Sequence, residues 1–234
     1  MTDLVLRISN NLAAIRERVK AAAERSGRQP NEVTLVAVTK YVGIDEIQAL
    51  VDTGCQDLGE SRPQDLWQKV EALPDRSIRW HMIGHLQRNK VRRTVPLAHL
   101  IHSGDSQRLL EAIDTVCQEH STIAKVLLEV NISGDQSKHG FAPESLMEYV
   151  TSLDQLKNLE VLGLMGMASF TGGIEQARSD FRRLRKLRDE LQIRCPANVT
   201  LNELSMGMSG DFEVAIEEGA TIVRVGSALF EGLA

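Results

Sequence analysis

Apolar residues follow two periods along the chain, and the two periods alternate. The first segment carries apolar residues three or four positions apart, which line one face of a long helix: Leu4, Ile8, Leu12, Ile15 and Val19. Thr2 or Asp3 can cap this helix, and Gly27 with Pro30 ends it. Residues 33–39 are short, β-branched and nearly all apolar, as in a strand buried on both faces. The chain is therefore predicted to begin with a helix and a buried strand.

Strand-like and helical patterns continue to alternate as far as the C-terminus. Predicted strands lie at residues 33–39, 57–59, 78–83, 97–102, 124–130, 159–164, 200–204 and 221–225. Predicted helices between them lie at residues 44–51, 63–72, 86–93, 106–117, 143–150 and 174–191, and a last one ends at Gly219. Eight strands in this rhythm predict an α/β fold, a single (β/α)8 TIM barrel with an extra N-terminal helix. No repeat, linker or low-complexity tract divides residues 1–234, so we expect one domain.

Composition narrows the class of protein. The 234 residues are 42% hydrophobic and 25% charged, which is typical of a soluble globular chain. A formal net charge of −5 argues against a nucleic-acid-binding surface. Cys55, Cys117 and Cys195 are odd in number and far apart, so neither a disulfide framework nor a metal site is expected. No targeting segment or membrane span is evident, and we expect a complete, cytoplasmic chain with no membrane partner.

Two loops of glycine and serine lie near the C-terminus. The first covers residues 205–210 and includes Met206, Ser209 and Gly210, with Asp211 placed to cap the helix that follows. The second is Gly226-Ser227. Backbone N–H groups in such loops bind anions, and (β/α)8 barrels often hold a phosphate at the loops after strands seven and eight. Tight turns alone would account for these residues equally well.

A lysine and an arginine indicate which kind of phosphate compound these loops would bind. Lys40 follows the first strand, where partial burial would lower the pKa of its amine and prepare it to form an imine. Arg224 shares a strand face with Gly226, so its guanidinium points toward the second loop. A lysine and a phosphate site on neighbouring strands are two anchors of pyridoxal 5'-phosphate. An arginine can only donate to the ring nitrogen of that cofactor, which keeps the nitrogen unprotonated.

Three further features each have a structural and a functional interpretation. His81 lies near the C-terminal end of a predicted strand, either as a site residue or as part of the barrel. Two basic clusters lie on predicted helices and are best explained as solvated helix faces: Arg88, Lys90, Arg92 and Arg93, and Arg182, Arg183, Arg185, Lys186 and Arg188. Glu217 and Glu218 are adjacent on a helix, so they point in different directions and cannot form an acid/base pair.

Segments along the whole chain resemble, in order, the pyridoxal phosphate homeostasis protein family. They are Ala37-Val38-Thr39-Lys40, Gly59-Glu60-Ser61, Trp80-His81-Met82-Ile83-Gly84-His85-Leu86-Gln87-Arg88-Asn89-Lys90, His102-Ser103, Ser137-Lys138-His139-Gly140, Gly163-Leu164-Met165, Leu204-Ser205-Met206-Gly207-Met208-Ser209 and Val223-Arg224-Val225-Gly226. The resemblance implies a barrel like that of alanine racemase and binding of pyridoxal 5'-phosphate. It implies these cofactor-binding residues: Lys40, Ser61, His81, Met206, Ser209, Gly210, Arg224, Gly226 and Ser227.

The chain departs from the family pattern at two places. The usual Gly-Glu-Asn-Tyr is Gly59-Glu60-Ser61-Arg62, which removes an asparagine near the cofactor ring, and Tyr41 follows Lys40. The resemblance implies a monomeric carrier or regulator of the cofactor, with pyridoxal-phosphate-dependent apoenzymes as partners and no catalytic reaction. The alternative is a racemase-like amino-acid enzyme. Racemases of this fold complete their site with a second, all-β domain and a neighbour's tyrosine, and the chain ends at Ala234, so we expect no enzyme.

Overall fold

Eight parallel strands close into a barrel in which each strand pairs with the next and the last pairs with the first. The computed structural model describes residues 2–74, 77–135, 139–169, 171–196 and 199–233. The strands are β1 Thr34–Val38, β2 Asp57–Glu60, β3 Arg79–Met82, β4 Leu100–Gly104, β5 Ala124–Val130, β6 Leu159–Gly166, β7 Val199–Ser205 and β8 Ile222–Val225. The predicted (β/α)8 barrel is confirmed, and each predicted strand overlaps an observed one.

Helices follow the strands around the outside of the barrel. They are α1 Asp3–Arg25, α2 Ile44–Asp52, α3 Pro63–Ala72, α4 Val91–Thr94, α5 Gln107–Glu119, α6 Pro143–Tyr149, α7 Gly173–Gln192 and α8 Phe212–Glu217. The helix predicted at residues 86–93 is wrong in extent. The segment instead contains a 3₁₀ turn at Arg88–Lys90, the four-residue α4 and a second 3₁₀ turn at Val95–Leu97, where Pro96 has no N–H to continue α4.

Side chains sort into two layers because they alternate across each strand. One face of each strand packs against the helices in a continuous apolar layer that includes Phe181 and Phe212. The other face fills the barrel interior, where a smaller apolar cluster lies: Val36, Leu100, Leu127, Met165 and Ile222. Polar side chains share this interior, which positions the functional groups described below.

The N-terminal helix α1 packs against the C-terminal part of the chain. Its side chains Ile8, Leu12, Ile15 and Val19 are buried, as their spacing predicts, and Thr2 caps the helix by accepting a hydrogen bond from the N–H of Val5. α1 packs against α8 and α2, and the Arg18 guanidinium forms an ion pair with Glu213 of α8. No helix in the described ranges has the length and apolar character needed to span a membrane.

The second basic cluster is only partly the solvated face that its sequence predicts. Arg182 and Arg185 of α7 form ion pairs with Glu218 at the end of α8, and Arg178 bridges Glu217 and Glu218. The adjacent glutamates therefore serve to join two helices, since each carboxylate faces guanidinium groups. In the first cluster, Arg88, Arg92 and Arg93 are exposed, as predicted, and Lys90 and Arg93 also lie over the ring of Trp67.

Candidate functional site

A cavity of about 830 Å³ opens at the C-terminal ends of the strands, which is the face where (β/α)8 barrels carry their sites. We call it the barrel-mouth cavity. Its lining includes most of the residues predicted from sequence: Lys40, Ser61, Ser209, Gly210, Arg224, Gly226 and Ser227. The structure thus brings together residues from the first, second, seventh and eighth β-α units.

Lys40 follows β1 and lines the cavity with an exposed side chain. Its ammonium lies 4.8 Å from the ring centre of Tyr41, which is itself 87% exposed. The expected partial burial of this amine is wrong, because the chain turns outward directly after β1. Lys40 is instead a solvent-exposed side chain at the open end of the barrel.

A buried network that the sequence did not reveal fixes the backbone before Lys40. The hydroxyl of Thr39 donates to Glu60 Oε1 at 2.5 Å, and Lys69 Nζ donates both to the same carboxylate oxygen at 2.6 Å and to the carbonyl of Thr39 at 2.7 Å. Glu60 is fully buried, so the ion pair with Lys69 compensates a charge that would be costly alone, while Glu60 Oε2 has no hydrogen-bond partner in the described part of the chain. The available signal was the Gly59-Glu60-Ser61 segment, whose acid ends a strand.

Arg224 lies inside the barrel and faces the cavity, as its strand position predicts. Its side chain is buried, and it donates from Nη1 to Ser205 Oγ at 2.5 Å and from Nη2 to the carbonyl of Gly166 at 3.3 Å. Burial lowers the pKa of Arg224 to about 10, against the opposing effect of the carboxylates of Glu129 and Asp211. The guanidinium therefore remains a cation at neutral pH and can only donate hydrogen bonds.

The two Gly/Ser loops meet beside Arg224. Ser209 Oγ accepts a hydrogen bond from the N–H of Gly226 at 3.2 Å, which joins the loop after β7 to the loop after β8. Gly207 has φ +94°, a left-handed conformation that favours glycine, and a Cβ there would come within 2.6 Å of Ala215. Loop backbone and hydroxyl groups therefore line this side of the cavity.

Helix dipoles contribute less to this side of the cavity than the sequence predicted. α8 has six residues and the segment Ser227–Leu229 is a single 3₁₀ turn. The predicted capping by Asp211 is wrong, because its carboxylate accepts from the N–H of Met208 at 2.6 Å and bonds no N–H of α8. The predicted end of the helix is confirmed, since Gly219 follows α8 with φ +101°.

His81 and Met206 do not line the cavity. His81 is 2% exposed and lies in the barrel interior, where Nδ1 is 2.9 Å from His102 Nε2 and Nε2 is 3.1 Å from Asp57 Oδ1. Met206 is fully buried in the layer between strands and helices. The two corrections have different causes: His81 lies in the interior below the mouth, and the sequence does not indicate height along the barrel axis, whereas Met206 packs in the layer between strands and helices. His85 is the histidine of this segment that reaches the mouth.

Glu129 is a cavity residue that sequence reasoning missed. It lies on the inward face of β5 and is 6% exposed. Burial, followed by the nearby Asp105 carboxylate, raises the pKa of Glu129 to about 7, while Arg224 and His85 act in the opposite direction. The signal available in the sequence was an acidic residue directly after the apolar run Val126-Leu127-Leu128. A carboxyl group that titrates near neutrality thus faces the same space as Lys40.

The rim beside Glu129 holds His85, Asp105 and His139, whose ligand atoms lie within 4.8 Å of one another. His85 Nδ1 is 2.7 Å from Asp105 Oδ2, and the two imidazole rings stack at 4.2 Å with 12° between their planes. The lone pairs of stacked rings run side by side and do not converge on one ion, so this geometry fits a hydrogen-bonded rim better than a metal centre. Ser137 and Lys138 of the same predicted segment lie outside the described residues.

Comparisons with known proteins give this geometry a context. The family profile of the alanine racemase N-terminal domain matches residues 10–233. A curated relative from Aquifex aeolicus, named pyridoxal phosphate homeostasis protein, is 44% identical over 94% of this chain and 95% of its own. The structure of PipY from Synechococcus elongatus with PLP bound aligns with TM-score 0.85 and 34% identity over 95% of this chain and 99% of PipY.

The fold also occurs in enzymes. An alanine racemase from Clostridium difficile aligns with TM-score 0.74 and 14% identity, over 96% of this chain and 56% of the racemase. At 14% identity, this likeness shows a shared barrel fold and carries no information about function.

Proposed function

The chain belongs to the pyridoxal phosphate homeostasis protein family, and from this membership we propose that it binds pyridoxal 5'-phosphate in the barrel-mouth cavity and maintains the supply of that cofactor without a catalytic reaction of its own. The observation that carries the proposal is the meeting of Lys40, Arg224 and the two Gly/Ser loops in one cavity. These groups are an amine, a fixed cation and a set of N–H and hydroxyl donors. They match the aldehyde, the ring nitrogen and the phosphate of the cofactor in turn.

The donor set fits the cofactor residue by residue. When bound, pyridoxal phosphate supplies an aldehyde that condenses with an amine, and Lys40 is the amine at the mouth. Arg224 would donate to the ring nitrogen, because two of its N–H groups are bonded within the barrel and the side chain also faces the cavity. Ser209, Gly210 and Ser227 would donate to the phosphate.

Two features favour storage and delivery over turnover. The Arg224 guanidinium keeps its protons at neutral pH, so it would donate a hydrogen bond to the ring nitrogen without protonating it. The ring would therefore remain a weak electron sink. Lys40 and Tyr41 are exposed at the mouth, where water would have access to a bond between Lys40 and the cofactor and would be able to hydrolyse it. We propose that the chain acts as a monomer in the cytoplasm, where three widely spaced cysteines are compatible with a reducing medium, and that it supplies apoenzymes that depend on the cofactor.

A transfer assay tests the delivery role. The loaded chain is mixed with the apoenzyme of a pyridoxal-phosphate-dependent transaminase, and activation is compared with the same dose held behind a membrane that passes only the free cofactor. We expect faster activation on direct mixing. A borohydride-reduced sample is the matched control, because its cofactor is fixed and cannot be transferred. Equal rates in the two arrangements would contradict delivery.

Glu129 favours a second candidate, a racemase-like enzyme. A carboxyl group with a pKa of about 7 inside the cavity can both hold and release a proton at working pH, which amino-acid chemistry requires. The test is to incubate the loaded chain with L-alanine and other L-amino acids and to follow chirality and keto-acid formation, with a racemase as control. Turnover near that of the control, lost in Glu129→Gln, would establish the enzyme and overturn the homeostasis proposal.

A further inference from the structure

A continuous line of polar side chains, all buried except the partly buried Asp57, crosses the barrel interior behind Arg224. From Arg224 Nη1 the contacts run to Ser205 Oγ at 2.5 Å, then from Ser205 Oγ to His102 Nδ1 at 2.8 Å. They continue from His102 Nε2 to His81 Nδ1 at 2.9 Å and from His81 Nε2 to Asp57 Oδ1 at 3.1 Å. β2, β3, β4, β7 and β8 each contribute one member. We call these five residues the interior chain.

The carboxylate end fixes the direction of every hydrogen bond when both histidines are neutral. An ionised Asp57 can only accept, so His81 Nε2 carries a proton and His81 Nδ1 is an acceptor. His102 must then donate from Nε2, which leaves His102 Nδ1 to accept from the hydroxyl of Ser205. Burial would raise the pKa of Asp57, but hydrogen bonds from His81 and Arg79 bring it well below its usual range.

The guanidinium end is compatible with the same direction. Arg224 can only donate, so Ser205 Oγ accepts from it and the serine proton is free to point at His102. His102 is fully buried, and burial, followed by the electrostatic effects of the neighbouring His81 and Arg224, lowers its pKa well below the usual value. The carboxylate end therefore requires, and the guanidinium end permits, one arrangement in which the proton of each imidazole is on Nε2.

We propose that four side chains act as positioning residues that hold Arg224 as the donor to the ring nitrogen of the cofactor: the buried Ser205, His102 and His81, and the partly buried Asp57. This inference rests on the proposed function for its cofactor contact, whereas the direction of the interior chain does not. A cation at one end and a carboxylate at the other polarise each bond in the same sense. The guanidinium is thereby compensated without a carboxylate bonded directly to it, and its remaining donors stay available to the cavity.

The interior chain also links the cavity to the opposite end of the barrel. Asp57 is joined there by Arg79, whose Nη2 lies 2.6 Å from Asp57 Oδ2 and whose side chain is 45% exposed. The other groups that face the chain are His99, whose ring centre is 5.8 Å from that of His81, and the carboxylates of Glu129 and Asp211, which act on Arg224. The hydrogen bonds of the interior chain thus connect Asp57 to Arg224, so a substitution at Asp57 would affect Arg224.

Nitrogen resonances of the histidines test the interior chain without any cofactor. In the full-length chain with ¹⁵N-labelled histidine at neutral pH, we expect the Nδ1 nuclei of His81 and His102 to be bare and the Nε2 nuclei to be protonated. Either histidine with a proton on Nδ1, or with both nitrogens protonated, would overturn the proposal. This measurement needs no variant, so it holds even where a substitution prevents folding.

The ring nitrogen of the cofactor tests the consequence for Arg224. With ring-¹⁵N pyridoxal phosphate bound, we expect its resonance to stay constant across the neutral pH range in the wild type and in Ser205→Thr, which keeps the hydroxyl. In Ser205→Ala the resonance should shift with pH, because a loosened Arg224 lets the nitrogen take up a proton.

The matched control is Ser103→Ala. Ser103 is a fully buried serine of β4 whose hydroxyl has no hydrogen-bond partner in the described part of the chain. We expect this variant to behave as the wild type. A pH-independent resonance in Ser205→Ala would overturn the positioning role. Failure of the wild type to bind the cofactor would refute the proposed function, whereas the histidine resonances would still decide the direction of the interior chain.

Discussion

Arg224 lies where the barrel interior meets the cavity, and its environment explains how a buried cation is tolerated. The guanidinium bonds a hydroxyl and a carbonyl, and its nearest carboxylates are not bonded to it. A pKa of about 10 still leaves it charged at neutral pH, so burial has weakened the basicity of this residue without removing its charge. The residue is thus suited to a contact that must always donate.

Asp57→Asn tests the ion cluster at the far end of the interior chain. Asp57 bonds His81 and Arg79, and we expect the variant to lower the free energy of unfolding at pH 7 by roughly 2 kcal/mol, the magnitude of hydrogen bonds to a charged group. The pKa of Asp57 is depressed in the folded state, so its stabilisation is present above the ordinary carboxyl pKa of about 4 and is lost as the pH falls below it.

The measurement is urea unfolding of both proteins across the acid range. The difference between wild type and variant should shrink as the pH decreases below about 4. Asp52→Asn is a control, since Asp52 is exposed on α2. A difference that is independent of pH would show that the Asp57 carboxylate charge does not stabilise the fold.

At the residue scale, the sequence predicted which face of a strand a side chain lies on better than it predicted the height of that side chain along the barrel axis. The period of two placed Arg224 on the same side as Gly226, and both line the cavity. His81 also points inward, yet it lies below the cavity and bonds Asp57, because strand period carries no information on height along the barrel axis. Glu129 was missed since its role depends on burial beside Asp105, which only the closed barrel produces.

At the scale of elements, the loops after β7 and β8 act as one unit, because Ser209 accepts from the N–H of Gly226. We predict that Gly226→Val weakens binding of pyridoxal phosphate about tenfold, roughly 1.4 kcal/mol, and changes binding of unphosphorylated pyridoxal much less. A Cβ at this position would lie 3.3 Å from Val38 Cβ, which is tighter than ordinary van der Waals contact, so we expect the second loop to shift and its proposed phosphate donors to move.

Titration of both ligands into the variant separates this effect from misfolding, because pyridoxal lacks only the phosphate. Thr115→Ala is a control for handling, since Thr115 is exposed on α5 away from the cavity. An equal loss for the two ligands would place the phosphate elsewhere.

The N-terminal helix α1 is the element that the apolar period predicted best, and it carries a stability prediction. Leu12 is 1% exposed, and we expect Leu12→Ala to reduce the free energy of unfolding by about 3 kcal/mol through lost burial and a residual cavity. Asn10→Ala on the exposed face of the same helix should change it little. Comparable losses in denaturant unfolding would show that α1 is not packed as described.

Short elements were harder to predict than α1 for a physical reason. A 23-residue helix repeats its apolar period several times, whereas the four residues of α4 complete hardly more than one turn. The segment around α4 is shaped by Pro96 and by packing of Lys90 and Arg93 on Trp67, which is a contact between distant parts of the chain. Local pattern cannot register such contacts.

At the scale of the whole molecule, the barrel follows from eight alternating units, and the site follows from its closure. β8 pairs with β1, which brings the loop carrying Gly226 beside the end of the strand that precedes Lys40. Those residues are 186 positions apart by their numbers (226 − 40) and meet only because the sheet is closed. Cofactor binding should therefore stabilise the folded barrel as a unit.

Mass action gives the size of that stabilisation. At a free pyridoxal phosphate concentration of roughly 100 times Kd, the free energy of unfolding should rise by about 2.7 kcal/mol. Thermal unfolding with and without cofactor measures the change, and Lys40→Ala should show a much smaller rise at the same concentration. An identical rise in the variant would mean that Lys40 does not contribute to binding.

The covalent attachment point tests the central claim most directly. Wild type, Lys40→Ala and the exposed-lysine control Lys20→Ala are each loaded with pyridoxal phosphate and reduced with borohydride, and the modified peptide is identified by mass. The account predicts one adduct on Lys40 in the wild type and in Lys20→Ala, and loss of both the adduct and the visible absorption in a folded Lys40→Ala. An adduct on Lys90 or Lys138, or full labelling of Lys40→Ala, would contradict it.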